Sequence, residues 1–168
     1  MRWWKRLDSS NTESMIARLN KKLWFLKRLK KLGANTEDLL DLYSKHIGSI
    51  LEYAAPVWHS ALTVEDRLRL ERVQKSALHI ILGAKYKSYS SALKLTGTRT
   101  LFETRRKICL KFAKKSLKSK KFGKWFKSNT LVTKTRQIQP KWKEVQCRTK
   151  RFKDSPISYL TNLLNTEH

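Results

Sequence analysis

The stretch TVEDRLRLERVQKSALHIILG, residues 63–83, reads as one helix from its first residue to its last and sets the class of the fold. Thr63 stands three residues before Asp66, a near relative of the capping box in which a hydroxyl accepts a backbone N–H of the first turn. Glu65 and Asp66 fall where the helix dipole favours negative charge. Leu70, Val73, Ala77, Ile80 and Ile81 recur at helical spacing and predict a single buried stripe, and Gly83 supplies the stop.

The same grammar extends outward in both directions. A helix is predicted over about residues 12–32, with Ile16, Leu19, Leu23, Leu26 and Leu29 on one face and Gly33 at its end. A second is predicted from Asn35 or Thr36, where Glu37 and Asp38 occupy the first turn. It carries Leu39, Tyr43, Ile47, Ile50 and Ala54 inward until Pro56 ends or kinks it. A shorter helix over about 88–95 stops before Gly97. Thr100-Leu101-Phe102-Glu103 then forms a full capping box for a helix reaching about residue 119. Its expected inward face is Leu101, Phe102, Ile108, Cys109, Phe112 and Ala113; its outward face is Arg105, Arg106, Lys107, Lys111, Lys114, Lys115 and Lys118. Beyond residue 120 the period fails, with Leu131-Val132-Thr133 as a short β-like piece. Ser155-Pro156 reads as a cap with Pro at the first helical position, opening a last helix with Ile157, Leu160, Leu163 and Leu164 inward.

The fold class read from this pattern is all-α. A leader covers 1–11, a small helical bundle 12–99 and a basic amphipathic helix 100–120. A basic, loosely ordered arm over 121–168 ends in a short helix.

Charge constrains function more than shape. The chain of 168 residues holds 38 Lys+Arg against 13 Asp+Glu, a net +25. Of that excess, +15 falls within residues 100–168, whereas 1–63 and 64–99 each carry +5. Self-repulsion of this size opposes compaction unless a polyanion relieves it. Six Trp, six Phe and five Tyr argue against a disordered basic tail, and five Gly with three Pro against collagen-like or turn-rich all-β chains. No apolar run approaches the roughly 20 residues that span a bilayer. Neither a signal peptide nor a disulfide framework is read from Met1–Arg6 or from the lone Cys109 and Cys147. The expected setting is intracellular, nuclear or cytoplasmic.

Catalytic chemistry is hard to find. His46, His59, His79 and His168 have no partners at metal-ligand spacing, and no phosphate-cradling glycine loop or nucleophile elbow occurs. Glu37-Asp38 and Glu65-Asp66 are better explained by helix dipoles than by two-metal chemistry. No catalytic residue, metal, cofactor or small-molecule substrate is therefore expected. The basic face at 105–118 fits phosphate contacts, each of which releases condensed counterions. Phe122, Trp125, Phe126 and Trp142 either stack on unpaired bases or anchor the arm on the helices.

Several motifs occur in a distinctive order. Leu39-Leu40-Asp41-Leu42-Tyr43 is followed by residues 50–59, ILEYAAPVWH, and then by residues 70–83, LERVQKSALHIILG. Later come Arg105-Arg106, Cys109 to Lys114, residues 147–153, CRTKRFK, and residues 155–165, SPISYLTNLLN. Over about residues 12–165 this order resembles the region downstream of the polymerase palm in non-LTR (LINE-type, jockey-like) retrotransposon reverse transcriptases. The resemblance implies a thumb-like bundle and a C-terminal extension that grip a template–primer duplex. The family's catalytic Ala-Asp-Asp motif has no counterpart in this sequence, which contains no Asp-Asp pair at all. The resemblance and the charge together imply a non-enzymatic fragment of such an element, binding RNA, DNA or their hybrid through phosphates. The residues expected to do so are Arg105, Arg106, Lys111, Lys114 and Lys115, with Lys27, Arg28 and Lys31 as a second patch. The alternatives are a protein-interaction or self-associating module using a helical face, and a translated relic with no selected function.

Overall fold

The computed structural model describes residues 9–129 and 141–166. The piece Leu131-Val132-Thr133, most of the leader and His168 lie outside the described residues. Among those described, the chain is all-α: the one β-type pairing is an isolated antiparallel bridge between Ser128 and Trp142. Among the described residues, no helix is long and apolar enough to cross a membrane. The helices are α1 (Ser9–Lys31), α2 (Thr36–Leu42), α3 (Ser49–Glu52), α4 (Ala55–Trp58), α5 (Val64–Leu82), α6 (Tyr89–Thr96), α7 (Leu101–Leu117), α8 (Lys150–Lys153) and α9 (Pro156–Asn165).

The caps are made as their residue types require. Asn35 Oδ1 accepts from Asp38 N at 2.7 Å, and Thr63 Oγ1 accepts from Asp66 N at 3.1 Å while donating to Asp66 Oδ2 at 2.7 Å. Thr100 and Glu103 close a reciprocal box, Glu103 N to Thr100 Oγ1 at 3.2 Å and Thr100 N to Glu103 Oε2 at 3.4 Å. Ser155 caps α9 by accepting from Ser158 N at 3.4 Å, with Pro156 at the first helical position.

Two compact units result. Among the described residues, the first comprises 9–53 together with Leu62–Thr104; the second comprises Ala54–Ala61 together with 105–129 and 141–166. In the first, α1 packs along α5, and Leu19, Leu26, Leu39, Ile47, Leu51, Leu70, Ala77 and Ile81 are buried. A satellite cluster gathers Leu78, Leu82 and Ala92 beneath Tyr86 and Tyr89.

Between α2 and α3 the chain widens into a π-helical segment, Tyr43–Gly48, marked by Ser49 N donating to Ser44 O, five residues back. This explains a shift of register. On a pure α-helix a residue every four positions drifts about 40° per step, so the expected face passed from Ile47 to Ile50 and Ala54. The wider turn absorbs that drift, and the buried face runs Leu39, Tyr43, Ile47 and Leu51 instead. Ala54 takes a left-handed conformation (φ 51°) at the break before α4.

In the second unit Cys109, Ala113, Phe126, Leu160, Leu163 and Leu164 form a core, with Leu110, Leu117, Trp142 and Tyr159 packed against it. Of the expected loose arm, Phe126, Trp142 and the last helix thus take part in a core, whereas Lys143, Glu144, Arg148, Phe152 and Lys153 are exposed. Trp142 donates its backbone N–H to Asn165 Oδ1 at 3.0 Å, and Asn165 Nδ2 donates back to the Trp142 carbonyl at 2.9 Å. Asn129 N to Lys141 O (2.9 Å) and Lys143 N to Lys127 O (2.8 Å) join the two strips of arm. Of the arm aromatics, Phe126 and Trp142 therefore serve as anchors, whereas Trp125 remains 40% exposed.

Candidate nucleic-acid interface

Helix α7 buries Leu101, Arg105, Cys109, Ala113 and Ser116. The first four stand four residues apart, on one slowly turning face. Phe102 and Phe112, expected inward, are exposed instead. The expected solvent face therefore needs one correction: Arg105 is 2% exposed, and its guanidinium carbon lies 5.0 Å from the centroid of the Trp58 ring. A guanidinium over an indole face exchanges water for the ring quadrupole, which makes burial tolerable. Charge type alone placed Arg105 with its neighbours Arg106 and Lys107; its four-residue spacing from Leu101 and Cys109 was the signal for the interior.

The rest of the expected face stands in water. Arg106, Lys107, Lys111, Lys114, Lys115 and Lys118 are all exposed. No carboxylate of the described residues forms an ion pair with Arg106, Lys107, Lys111, Lys115 or Lys118. Lys107, Lys111 and Lys115 climb the helix at four-residue intervals, about 6 Å of rise per step, while Lys114 and Lys118 form an adjacent row. Like charges at this spacing each destabilise a helix by a few tenths of a kcal/mol, a cost that a line of phosphates would reverse.

The second expected patch lies on α1, in the other unit. Leu19 and Leu26 point into the core, which leaves Lys27, Arg28 and Lys31 exposed together with Lys21 and Lys22. Among them stands a residue that sequence reasoning passed over. Trp24 is 63% exposed, with the Arg28 guanidinium carbon 5.6 Å from its ring centroid, and Phe25 is 47% exposed beside it. The signal was legible: Trp24 precedes Arg28 by one helical turn and falls off the Leu19–Leu26 line. A large aromatic held in water within a cluster of cations is suited to stacking on an unpaired base while the cations meet its phosphates.

The carboxylate pairs occupy helix first turns, behind the caps Asn35 and Thr63. Asp38 and Asp66 contribute to the first turns of α2 and α5, and Asp66 is held by Thr63 and, at 3.8 Å, by Arg69. Glu71 of α5 takes a different role, accepting at Oε1 from the Tyr89 hydroxyl and, at 3.3 Å, from Leu101 N. One carboxylate oxygen thereby gathers the starts of α6 and α7. Burial, and then the hydrogen bond to Glu71, hold the Tyr89 phenol well above its ordinary range. His59 is buried edge-on to Tyr159, with ring centroids 5.4 Å apart, and His79 meets Tyr86 in the same way at 5.1 Å. His59 behaves as a packing residue, whereas His79 is exposed. No protein-family model, curated protein or solved structure matches this chain.

Proposed function

We propose that this protein binds RNA, DNA or their hybrid through the sugar–phosphate backbone, without selecting sequence and without copying the strand. The observation that carries the reading is the row of α7 cations, Lys107, Lys111 and Lys115 with Arg106, Lys114 and Lys118, exposed on one helix. A solvated helix of ordinary solubility interleaves its cations with acids; α7 has Glu103 in its first turn and no acid thereafter. The Trp24–Arg28 cluster on α1 adds an aromatic platform suited to unpaired bases. The order of motifs supports descent from a retrotransposon reverse transcriptase of the LINE type, in which a thumb and extension hold a polyanion.

The test is fluorescence anisotropy with labelled single-stranded RNA, single-stranded DNA and hybrid duplex across a salt series. Affinity for each should fall linearly in the logarithm of salt, with a slope of roughly −0.7 to −0.9 per phosphate neutralised. Absence of salt-sensitive affinity for every one of these ligands would remove the proposal.

A further inference from the structure

The two strips of arm that meet at the Ser128–Trp142 bridge set like charges side by side. Ser128 pairs antiparallel with Trp142, Lys143 N donates to Lys127 O at 2.8 Å, and Asn129 N donates to Lys141 O at 2.9 Å. In that register Lys127 stands directly opposite Lys143. Side chains alternate across an extended strand. Phe126 and Trp142 turn inward to the core that holds Cys109 and Ala113, so Lys127, Lys141 and Lys143 turn outward, and all three are exposed. Opposed residues of such a pair have Cβ atoms about 4.5–5.5 Å apart, and like charges placed there are destabilising. No carboxylate of the described residues forms an ion pair with Lys127, Lys141 or Lys143. The register is pinned from behind, since Asn165 both accepts from and donates to the Trp142 backbone. An anion held between the two ammonium groups would turn their repulsion into attraction.

An aromatic surface precedes this pair in the same unit. Trp125 stands two residues before Lys127 and one before the buried Phe126, and it is exposed. Phe122 supports it, with ring centroids 4.8 Å apart and planes tilted by 59°. Lys121 lies over the Phe122 ring at 5.9 Å from its centroid, and Lys120 and Lys124 are exposed beside it. An indole buttressed by a second ring loses little freedom when it stacks. With cations on both sides in the sequence, it suits a nucleobase whose phosphate is held close by.

We propose that these residues of the second unit form a site for an unpaired nucleotide of a bound strand: Lys127 and Lys143 clamp a phosphate between them, and Trp125 stacks on a base. The site presupposes the nucleic-acid reading and adds to it a preference for single strands. It is separate from the cation row of α7, because Phe126 and Trp142 pack on the buried side of that helix.

The full chain is titrated with labelled single-stranded RNA and with a blunt RNA–DNA hybrid across a salt series. A single-stranded RNA carrying 2-aminopurine, whose emission is quenched on stacking, reports the base. Lys127→Gln combined with Lys143→Gln should lower the single-strand salt slope by about 0.7, the share of one phosphate. Trp125→Leu, which keeps an apolar neighbour for Phe122, should weaken single-strand affinity about tenfold, leave hybrid affinity nearly unaltered and relieve the quenching. The lysine variant, altered only at exposed positions, carries the test if Trp125→Leu fails to fold. An unchanged slope in the lysine variant means that these lysines only guard the edges of the strips, and overturns the proposal. Equal losses on single strand and hybrid, or quenching that survives Trp125→Leu and disappears with Trp24→Ala, overturn it as well while the nucleic-acid reading stands. A parent chain that binds neither ligand removes both.

Discussion

The Arg105 guanidinium lies 5.0 Å from the centroid of the Trp58 ring, with both side chains withdrawn from water. Helix α7 thus uses an arginine as a core residue, one position before the solvent-facing Arg106. Desolvated cation–π pairs contribute about 2 kcal/mol, and truncating a long buried side chain adds a cavity term. Arg105→Ala should therefore destabilise the fold by about 2–4 kcal/mol in urea unfolding. Arg105→Lys should also destabilise it, because an ammonium lacks the planar face that stacks on the indole. Nucleic-acid affinity of the fraction that remains folded should be unchanged.

The α7 lysines should behave in the opposite way. Replacing Lys111, Lys114 and Lys115 with Glu should leave the unfolding midpoint nearly unaltered, since all three are exposed. It should weaken binding to every sequence alike and reduce the salt slope by about 2–3, the contribution of three phosphates. Loss confined to one sequence would speak against backbone contact.

Trp24 separates stacking from charge. With the ring 63% exposed, Trp24→Ala should change stability little. Affinity for a single strand should fall by about 1–3 kcal/mol, while affinity for duplex, whose bases are already stacked, should fall less. Equal losses on both ligands would reduce Trp24 to a support for Arg28.

Alkali should destabilise the protein through two acids, the buried Cys109 and the half-buried Tyr89. Burial raises the Cys109 thiol from an ordinary 9.0 to about 11, against the opposing influence of Arg105, and Tyr89 is raised further in the same direction. Both groups hold their protons longer when folded. Their contribution is complete below pH 9 and is lost as pH climbs through the folded values, on the order of 2 kcal/mol for the thiol alone. Unfolding midpoints measured across pH 8–11 should fall more shallowly in Cys109→Ala than in the parent. The same burial should keep Cys109 inert to alkylating reagents until the protein unfolds, whereas the half-buried Cys147 should react earlier.

Much of the fold is written locally. Asn35, Thr63, Ser88, Thr100 and Ser155 each cap the next helix, because an oxygen at that position meets backbone N–H groups that have no partner within the helix. Gly33 and Gly97 take positive φ at the ends of α1 and α6, a conformation that costs a residue without Cβ little. The exposed cations Lys27, Arg28, Lys31, Arg106, Lys111, Lys114 and Lys115 were legible for an equally local reason. Charged side chains among apolar residues of fixed period fall on the face left over.

Three features were decided only by tertiary structure. The π-helical turn at Tyr43–Gly48 rotates the chain beyond it, so that Leu51 replaces Ile50 inside; a periodic reading assumes one constant pitch. Arg105 enters the core because Trp58, 47 residues earlier, offers a ring face for its charge, and such a partner has no trace in the residues around it. Gln74 reads as a polar gap in the α5 stripe until the Arg99 carbonyl takes its nitrogen and leaves its oxygen buried. Capping and periodicity are properties of a few adjacent residues, and the sequence alone determined them. Burial of a charge or an amide depends on which distant group meets it, and only the folded chain decided that.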